Sequence, residues 1–178
     1  ELAAKAVAGH ISVRVVDSRS GSMGQGITVI ACAKLAASGA SLDEVVATGK
    51  NLALRSKVWG ALDTLENLKK GGRIGGAKAM MASALSIKPI IEVVDGKIEE
   101  GGKQRTRSKA LAFLLEKVRD AGPIENLAVL QANCNDFEAF VESLREIYSG
   151  DIIVGDIGPI IGTNTGAGTI GVAFHTKP

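Results

Sequence analysis

Aromatic residues are scarce in this sequence, and their scarcity limits how its core can be built. Phe, Trp and Tyr make up 3% of the 178 residues, whereas hydrophobic residues as a group reach 46%. That apolar content excludes a disordered chain, because enough apolar surface is available for burial. The core must therefore consist of Ala, Val, Ile and Leu, a composition that fits a layered α/β protein with one domain or two small ones.

Cysteine and histidine are equally rare, with two of each. Cys32 and Cys134 lack C-x-x-C spacing, so the sequence predicts reduced thiols and a cytoplasmic location rather than a disulfide framework. His10 and His175 lie in no catalytic motif, and neither G-x-S-x-G nor H-E-x-x-H occurs. We therefore predict no catalytic residue and no metal site, and interpret both histidines as surface or strand-end residues.

An excess of charge of one sign is also missing, since 21 basic and 19 acidic residues leave a formal net charge of +2. This balance indicates neither nucleic-acid binding nor membrane binding. The longest uncharged stretch, residues 157–174, is interrupted by glycine and proline and does not predict a membrane span. The basic run Lys103 to Lys109 opposes the dipole at a helix start, which either a solvated helix end or an acidic partner would explain.

The first third of the chain carries one strand signal and two helix signals. The apolar run Ile11–Val16 predicts a buried parallel strand that feeds a loop at Asp17. Two further segments, Met23–Ala37 and the residues from Leu42 to about Arg55, are predicted helices. Each is preceded by a capping-box pattern, Ser22 with Gln25 and Ser41 with Glu44.

A change of pattern near Ser56 predicts a domain boundary. We interpret residues 1–56 as the C-terminal part of a first α/β domain and residues 57–178 as a second α/β domain. The second domain is predicted to alternate short strands with helices, among them an Ala- and Met-rich helix over Gly75–Leu85. Pro89 predicts a strand start or an edge strand, and Asp95-Gly96 predicts a hairpin turn.

Two glycine clusters resemble phosphate-binding motifs but fail the test of context. Gly71 to Lys78 is not a P-loop, because Ala77 stands where glycine must precede the lysine. Gly166 to Gly171 matches G-x-G-x-x-G, yet only seven residues follow it, which leaves no room for the required helix. Both clusters remain open to two interpretations: a carboxylate or phosphate site, with Arg73 supplying charge at the first, or ordinary caps and turns.

Six segments together closely resemble the DegV family of fatty-acid-binding proteins. The resemblance runs along the whole chain and is carried by Val16-Asp17-Ser18, Gly24-Gln25-Gly26, the block from Leu62 to Ile74, Ser86 to Ile90, Arg105 to Ala110, and Ile157 to Thr163. It implies a two-domain α/β fold, in which a partial parallel-sheet first domain precedes a complete mixed-sheet second domain.

The function implied by this resemblance is that of a carrier rather than an enzyme. Members of the family bury one long-chain fatty acid between two domains and present its carboxylate to a separate fatty-acid kinase. The resemblance therefore implies two partners, the fatty acid and the kinase subunit, with no other cofactor, no nucleic acid and no stable membrane insertion. A lining of Ala, Ile, Leu and Met suits a flexible alkyl chain.

The resemblance also implies which residues form the site. We expect the fatty-acid carboxylate near Arg73, Asn164 and Ser18, with Ser18 and Asp17 at the end of the first strand facing the crevice. The acyl tunnel is expected to be lined by Met80, Met81, Leu85, Ile87 and Ile161. For these five, ordinary core packing is the competing interpretation.

The sequence departs from the family pattern in two ways. We interpret the chain as beginning after the segment that carries the family's carboxylate-binding Thr and Ser. Asn164 and Ala167 replace the histidine and proline of the family's G-T-H-x-G-P-G motif, and an asparagine donates hydrogen bonds without carrying charge. The alternatives are an interaction or regulatory module that has lost lipid binding and, with least support, an enzyme of the related dihydroxyacetone-kinase type.

Overall fold

A mixed six-stranded sheet is the centre of the fold. The computed structural model describes residues 1–82 and 87–178. Its strands are β1 Ser56–Ala61, β2 Lys88–Val94, β3 Lys97–Gln104, β4 Ile124–Gln131, β5 Ile153–Asp156 and β6 Ile170–Thr176. They lie in the order β3-β2-β1-β6-β4-β5, and every neighbouring pair is antiparallel except β4 with β5. The predicted α/β class with a mixed sheet is confirmed.

Seven α-helices and one 3-10 helix surround the sheet in the described residues. The α-helices are α1 Leu2–Val7, α2 Ser22–Ala37, α3 Leu42–Arg55, α4 Glu66–Lys70, α5 Arg107–Asp120, α6 Phe137–Arg145 and α7 Pro159–Thr165. A 3-10 helix covers Gly75–Ala82, where an α-helix over Gly75–Leu85 was predicted, and Leu85 lies outside the described residues. No described helix combines the length and apolar character needed to cross a membrane.

The strand predicted over Ile11–Val16 does not form. These residues have no regular structure, and the side chains of Ile11 and Val15 are 60% and 54% exposed. A strand is stabilised by backbone hydrogen bonds to a neighbouring strand, and in the described residues no strand pairs with this segment. An apolar, β-branched run was therefore not sufficient to predict a strand here.

Of the two predicted capping boxes, one is present and one is not. At the start of α3, Ser41 accepts from the backbone N–H of Glu44, and the Glu44 carboxylate accepts from the backbone N–H of Ser41. The Ser41 hydroxyl also donates to this carboxylate, and that bond first, with the backbone bond second, holds the pKa of Glu44 below its usual value. Helix α2 instead has Gly21 as its N-cap without a side-chain cap, so the Ser22–Gln25 prediction was wrong.

One face of the sheet is covered by α5 and α6 and is densely packed. Helix α5 contacts β1, β2 and β3, and α6 packs against α5. Side chains on alternate strand positions meet these helices, as the period of two in a strand requires. The buried members from the strands include Ile90, Leu127, Val129, Ile170, Val172 and Phe174.

The opposite face is covered by α2, with α3 packed on α2. Among the described residues, the buried core cluster on this face contains only Ile27, Ala128 and Ala173, with Met23, Val58 and Ile153 packed around it. A further cluster, formed by α4, the 3-10 helix, β2 and neighbouring loops, contains Leu62, Leu65, Leu68, Ala77, Met80 and Ile91. The small side chains on this face leave space beside the first turn of α2.

The hairpin between β2 and β3 follows the sequence prediction. Asp95 and Gly96 both adopt left-handed φ angles, 51° and 75°, as a two-residue hairpin turn of the primed type requires. Pro89 is the second residue of β2, which is an interior strand, so it marks a strand start and not an edge.

Candidate ligand-binding site

A cavity of about 530 Å³ lies on the α2 face of the sheet. It is bounded by the first turn of α2, by strands β1, β2 and β6, by α7, and by the loop between α4 and the 3-10 helix. Its volume falls within the range of roughly 300 to 1,000 Å³ that small-molecule sites occupy. The cavity is therefore large enough to take a ligand.

The floor of this cavity consists of small residues on two paired strands. In the register of β1 with β6, Val58 faces Ala173 and Gly60 faces Gly171. A Cβ atom at Gly171 would lie 3.5 Å from the Trp59 carbonyl oxygen, an ordinary contact, so a side chain has room there, whereas a Cβ at Gly60 would lie 3.3 Å from Cγ1 of Ile91. Gly171 and Ala173 thus contribute most to the depth of the cavity.

The walls above this floor are almost entirely apolar. Aliphatic and thioether side chains come from three helices, three strands and neighbouring loops, and they include Met23, Leu62, Leu68, Ile91, Val93, Ile98, Leu130, Ile157, Ile160 and Ile161. Such a lining favours an alkyl chain over a polar metabolite, because a buried polar group without a hydrogen-bond partner is costly.

The few charges at the cavity have one sign. Arg73 and Lys97 belong to the lining, and no Asp or Glu occurs among the described lining residues. Gly21 and Ser22 bring the N-terminus of the 16-residue helix α2 to the cavity, and its first turn contains no acidic residue. A helix N-terminus carries a partial positive charge. The interior of the cavity is thus apolar. Its polar edge, formed by Arg73, Lys97 and the N-terminus of α2, favours an anion.

Arg73, Asn164 and Ile161 were all predicted from the sequence, and the structure brings them together at this cavity. Arg73 is exposed, and its backbone N–H donates to the Leu68 carbonyl at 2.9 Å. The preceding Gly72 has a φ of 66°, so the first glycine cluster forms a left-handed turn after α4. That turn places Arg73 in the lining of the cavity, to which α7 also contributes.

Asn164 is held by its own helix. Its Nδ2 donates to the Ile160 carbonyl at 2.9 Å, and its Oδ1 lies against Gly71, where a Cβ would collide with it. The amide nitrogen has a second hydrogen. Asn164 therefore presents one uncharged donor where the family motif expects a histidine.

Ser18 and Asp17 form a turn outside the described lining. The Asp17 carboxylate accepts from the backbone N–H of Arg19 at 2.8 Å, and the Ser18 hydroxyl donates to the Ser20 carbonyl at 3.3 Å. Ser20, two residues further on, does line the cavity. The turn at Asp17 and Ser18 thus places Ser20 at the cavity.

The predicted tunnel residues of the 3-10 helix region lie next to the cavity rather than on its surface. Met80 is fully buried, and Met81 and Ile87 pack against the same cluster. That cluster shares Leu62, Leu68 and Ile91 with the cavity wall. Contact of Met80, Met81 or Ile87 with a ligand stays a prediction, and Leu85 lies outside the described residues.

A second cleft, which is polar, is lined in part by Gly168 of the other glycine cluster. Its charges are paired: Lys88 with Asp63 at 2.6 Å, and Arg107 with Asp136 at 2.9 Å. The hydrogen bond from Arg107 lowers the pKa of Asp136. Arg107 also donates to the carbonyl of Gly168, whose φ is 80°. Gly168 thus serves a turn, and Arg107 of the basic run serves an internal ion pair.

Sequence reasoning missed the floor of the cavity and Lys97. The signal for the floor was present as small residues at every second position, in Val58-Trp59-Gly60 and Gly171-Val172-Ala173. This signal indicates a cavity floor only when the register of β1 with β6 is known, because the register places the small residues of the two segments side by side. In the described part of the chain, no group of three His, Cys, Asp or Glu side chains could hold a metal ion.

Comparison with known proteins identifies the family of this fold. A model of the DegV family, described as a family of uncharacterised proteins, matches residues 1–177. A DegV domain-containing protein of Clostridium acetobutylicum is 37% identical over 93% of this chain, which spans 59% of that relative's length. This chain thus spans about three fifths of the curated relatives it matches.

Two solved structures agree with the fold. A DegV family protein from Corynebacterium glutamicum is 32% identical with a TM-score of 0.86, covering 99% of this chain and 68% of its own. A DegV family protein from Thermus thermophilus, described by its fatty-acid binding, is 32% identical with a TM-score of 0.84, covering 97% of this chain and 64% of its own. On this evidence, the chain belongs to the DegV family.

Proposed function

We propose that this chain binds a long-chain fatty acid in the cavity that lies on the sheet beside the first turn of α2. The observation that carries the proposal is the pairing of an apolar lining with two cations, Arg73 and Lys97, and no carboxylate among the described lining residues. A fatty acid has the complementary chemistry, since a flexible alkyl chain ends in a single negative charge. We place the alkyl chain over Gly60 and Gly171 and the carboxylate toward Arg73 and Asn164.

Burial of the alkyl chain would supply most of the affinity. Each buried methylene contributes about 0.8 kcal/mol. Removing two methylenes is therefore expected to weaken binding by roughly tenfold, as long as the removed carbons lie inside the cavity. The polar edge would fix the orientation of the ligand more than its affinity, because Arg73 and Lys97 are both exposed.

The relatives support this proposal. The Thermus thermophilus protein is described by its fatty-acid binding, and a Ruminococcus gnavus DegV family structure, 27% identical to this chain, is described with vaccenic acid. Because this chain spans about three fifths of its curated relatives, fatty-acid binding by these residues alone is part of the proposal. A cytoplasmic location is also part of it, and the two free thiols are consistent with that location.

We propose further that the chain is a carrier and presents the carboxylate to a separate fatty-acid kinase. In that reaction the carboxylate oxygen would attack the γ-phosphoryl group of a nucleoside triphosphate, with release of the diphosphate and formation of an acyl phosphate. The exposure of Arg73 and Lys97 at the polar edge supports this role, because a second protein must reach the carboxylate there.

Asn164 favours one alternative function, an interaction or regulatory module without lipid. It stands where the resemblance expects a histidine, and its amide already donates to the Ile160 carbonyl. In that case the cavity would stay free of lipid in the cell.

Native mass spectrometry of the chain purified from bacterial cells tests these functions. A bound mass equal to hexadecanoic or octadecanoic acid supports the carrier, whereas lipid-free protein that also fails to take up added acid supports the alternative. For the carrier, a bacterial fatty-acid kinase with a nucleoside triphosphate should form acyl phosphate only when the loaded chain is present.

A further inference from the structure

His175 is a buried imidazole that the proposed site does not yet use. It belongs to β6, it is fully buried, and it lies on the same face of that strand as the cavity residues Gly171 and Ala173. Nε2 of His175 is 3.0 Å from the Thr28 hydroxyl of α2, and Nδ1 is 3.2 Å from Nδ2 of Asn126. A buried polar side chain with a partner on each nitrogen joins three elements of the fold.

The hydrogen bonds on the two sides of the ring assign the same tautomer. Thr28 has a single hydroxyl hydrogen, which it donates to the Gly24 carbonyl at 3.2 Å. The hydroxyl must therefore accept from His175, which places a proton on Nε2. The amide nitrogen of Asn126 can only donate, so Nδ1 must be unprotonated. His175 is thus neutral and directs its one N–H toward Thr28.

The backbone of β4 is shaped to supply the Asn126 amide. The register between β4 and β6 shifts between Glu125 and Ala128, and Asn126 adopts a left-handed φ of 56°. Such a bulge redirects a side chain at the cost of regular pairing. Here the redirected side chain is the one that fixes the orientation of the imidazole.

The hydrogen bonds that run from Asn126 through His175 and Thr28 end at the Gly24 carbonyl, which lies next to the cavity lining. The Gly24 carbonyl accepts from both Thr28 and the Ser56 hydroxyl, the latter at 3.4 Å. Gly24 also lies so close to the sheet that a Cβ there would collide with Val58. The residues just before it, Gly21, Ser22 and Met23, line the cavity. Whatever fixes Gly24 therefore fixes one side of the proposed ligand site.

We propose that His175 is a positioning residue for the ligand site: through Thr28 it holds the first turn of α2 at the distance from the sheet that the ligand requires. This inference rests on the proposed function, since it names a residue that shapes the same cavity without touching the ligand. Asn126 holds the ring, His175 donates to Thr28, and Thr28 transmits the restraint to the Gly24 carbonyl.

The test replaces Thr28 by Val, which preserves the shape of the side chain and removes only the hydroxyl. Two quantities are measured on the whole chain: hydrogen exchange in the second turn of α2, residues 26–29, whose amides donate to the carbonyls of the first turn, and the affinity for hexadecanoic acid. Thr28→Val should accelerate exchange in that turn and weaken the affinity, each on the order of tenfold, with no change of exchange in α5. Thr28→Ser restores the hydroxyl and should restore both values. Thr48→Val, on α3 and outside the described cavity lining, is the matched control.

The outcomes separate this inference from the proposed function. Unchanged exchange in Thr28→Val overturns the inference, and so does faster exchange with unchanged affinity, because the network would then be merely structural. If the unmodified chain binds no hexadecanoic acid while Thr28→Val still loosens α2, the proposed function fails and the restraint on the helix is upheld. Nitrogen-15 spectra of His175 give an independent check, since a proton on Nδ1 at neutral pH contradicts the assigned tautomer.

Discussion

The two faces of one sheet differ in what their side chains allow. On the α5 side, β6 presents Ile170, Val172 and Phe174, all at most 1% exposed. On the α2 side, the same strand presents Gly171, Ala173 and His175. The first face is filled, whereas the second contains a cavity of about 530 Å³. A period-two alternation of large and small residues thus gives one strand a structural face and a face that we propose binds the ligand, the binding face.

This difference separates the residues that stabilise the fold from the residues of the proposed binding site. Large side chains on the α5 face bury apolar area in the empty protein, so they stabilise the fold whether or not a ligand is present. Small side chains on the α2 face leave apolar surface that only a ligand can cover. Truncating packed side chains on the first face should therefore change stability, and filling the cavity on the second face should change binding.

The largest expected effect is on the packed face. Phe174→Ala removes a ring that is 1% exposed and leaves a cavity, so we expect a loss of about 3 to 5 kcal/mol in the free energy of unfolding. Urea denaturation measures this loss. Ile161→Ala, on the half-buried cavity wall, is the comparison and should cost less than half as much. If the two variants lost equal free energy of unfolding, the two faces would not differ in their contribution to stability.

Acid should lower the stability of the protein through His175, which lies on the α2 side of the sheet. Burial and the nearby Arg55 cation, opposed by Glu125, lower the pKa of His175 to about 4 from 6.5. The unfolded chain takes up a proton near pH 6.5 but the folded chain does not, so stability is lost as pH falls from 6.5 to 4. The shift corresponds to as much as about 3 kcal/mol.

Unfolding experiments between pH 7 and pH 4 measure this loss. The variant His175→Gln has no imidazole at this position and should show a shallower decline over the same range. An equal decline in the variant and the unmodified chain would mean that other groups control the acid response.

Filling the floor of the cavity should abolish binding with little effect on stability. Gly171 does not have a left-handed φ, and a Cβ there meets its nearest neighbour at 3.5 Å. Gly171→Val should therefore fold normally, occupy the cavity and weaken hexadecanoic acid binding by at least about tenfold. Gly171→Ala should have an intermediate effect. A Gly171→Val protein of normal affinity would place the acyl chain elsewhere.

The smallest effect is expected at the polar edge. Arg73 is exposed, so Arg73→Ala should weaken fatty-acid binding by only about two- to fivefold and leave the melting temperature unchanged. Arg73→Lys keeps the charge and should recover most of the affinity. The difference between the variants should shrink as salt is added. A clear fall in melting temperature without a change in affinity would assign Arg73 a structural role.

Local signals allowed much of the fold to be predicted from the sequence. Ser41 and Glu44 marked the start of α3 because their capping box forms within four residues, and Asp95-Gly96 marked the hairpin for the same local reason. Ile11–Val16 failed as a strand because strand formation depends on a partner that the local sequence does not specify. Helix α7, which holds Ile161 and Asn164, is short and was not predicted.

The candidate site was predictable only in part. The motif around Asn164 and the turn at Arg73 pointed to the residues that meet at the cavity. Gly60 and Gly171 were missed because each looks like an ordinary glycine until the register of β1 with β6 brings them together. The role of His175 was also beyond the sequence, since its partners Thr28 and Asn126 are distant along the chain.

The central claim is that the fatty acid lies against the small-residue face of the sheet. A crystal structure of the chain loaded with an ω-brominated hexadecanoic acid tests it most directly, because anomalous scattering locates the bromine at the end of the alkyl chain. We predict one bromine peak inside the cavity over Gly60 and Gly171, with the carboxylate at the edge formed by Arg73 and Asn164. A bromine peak on the α5 face, or a loaded protein whose cavity contains no acyl chain, would contradict the account.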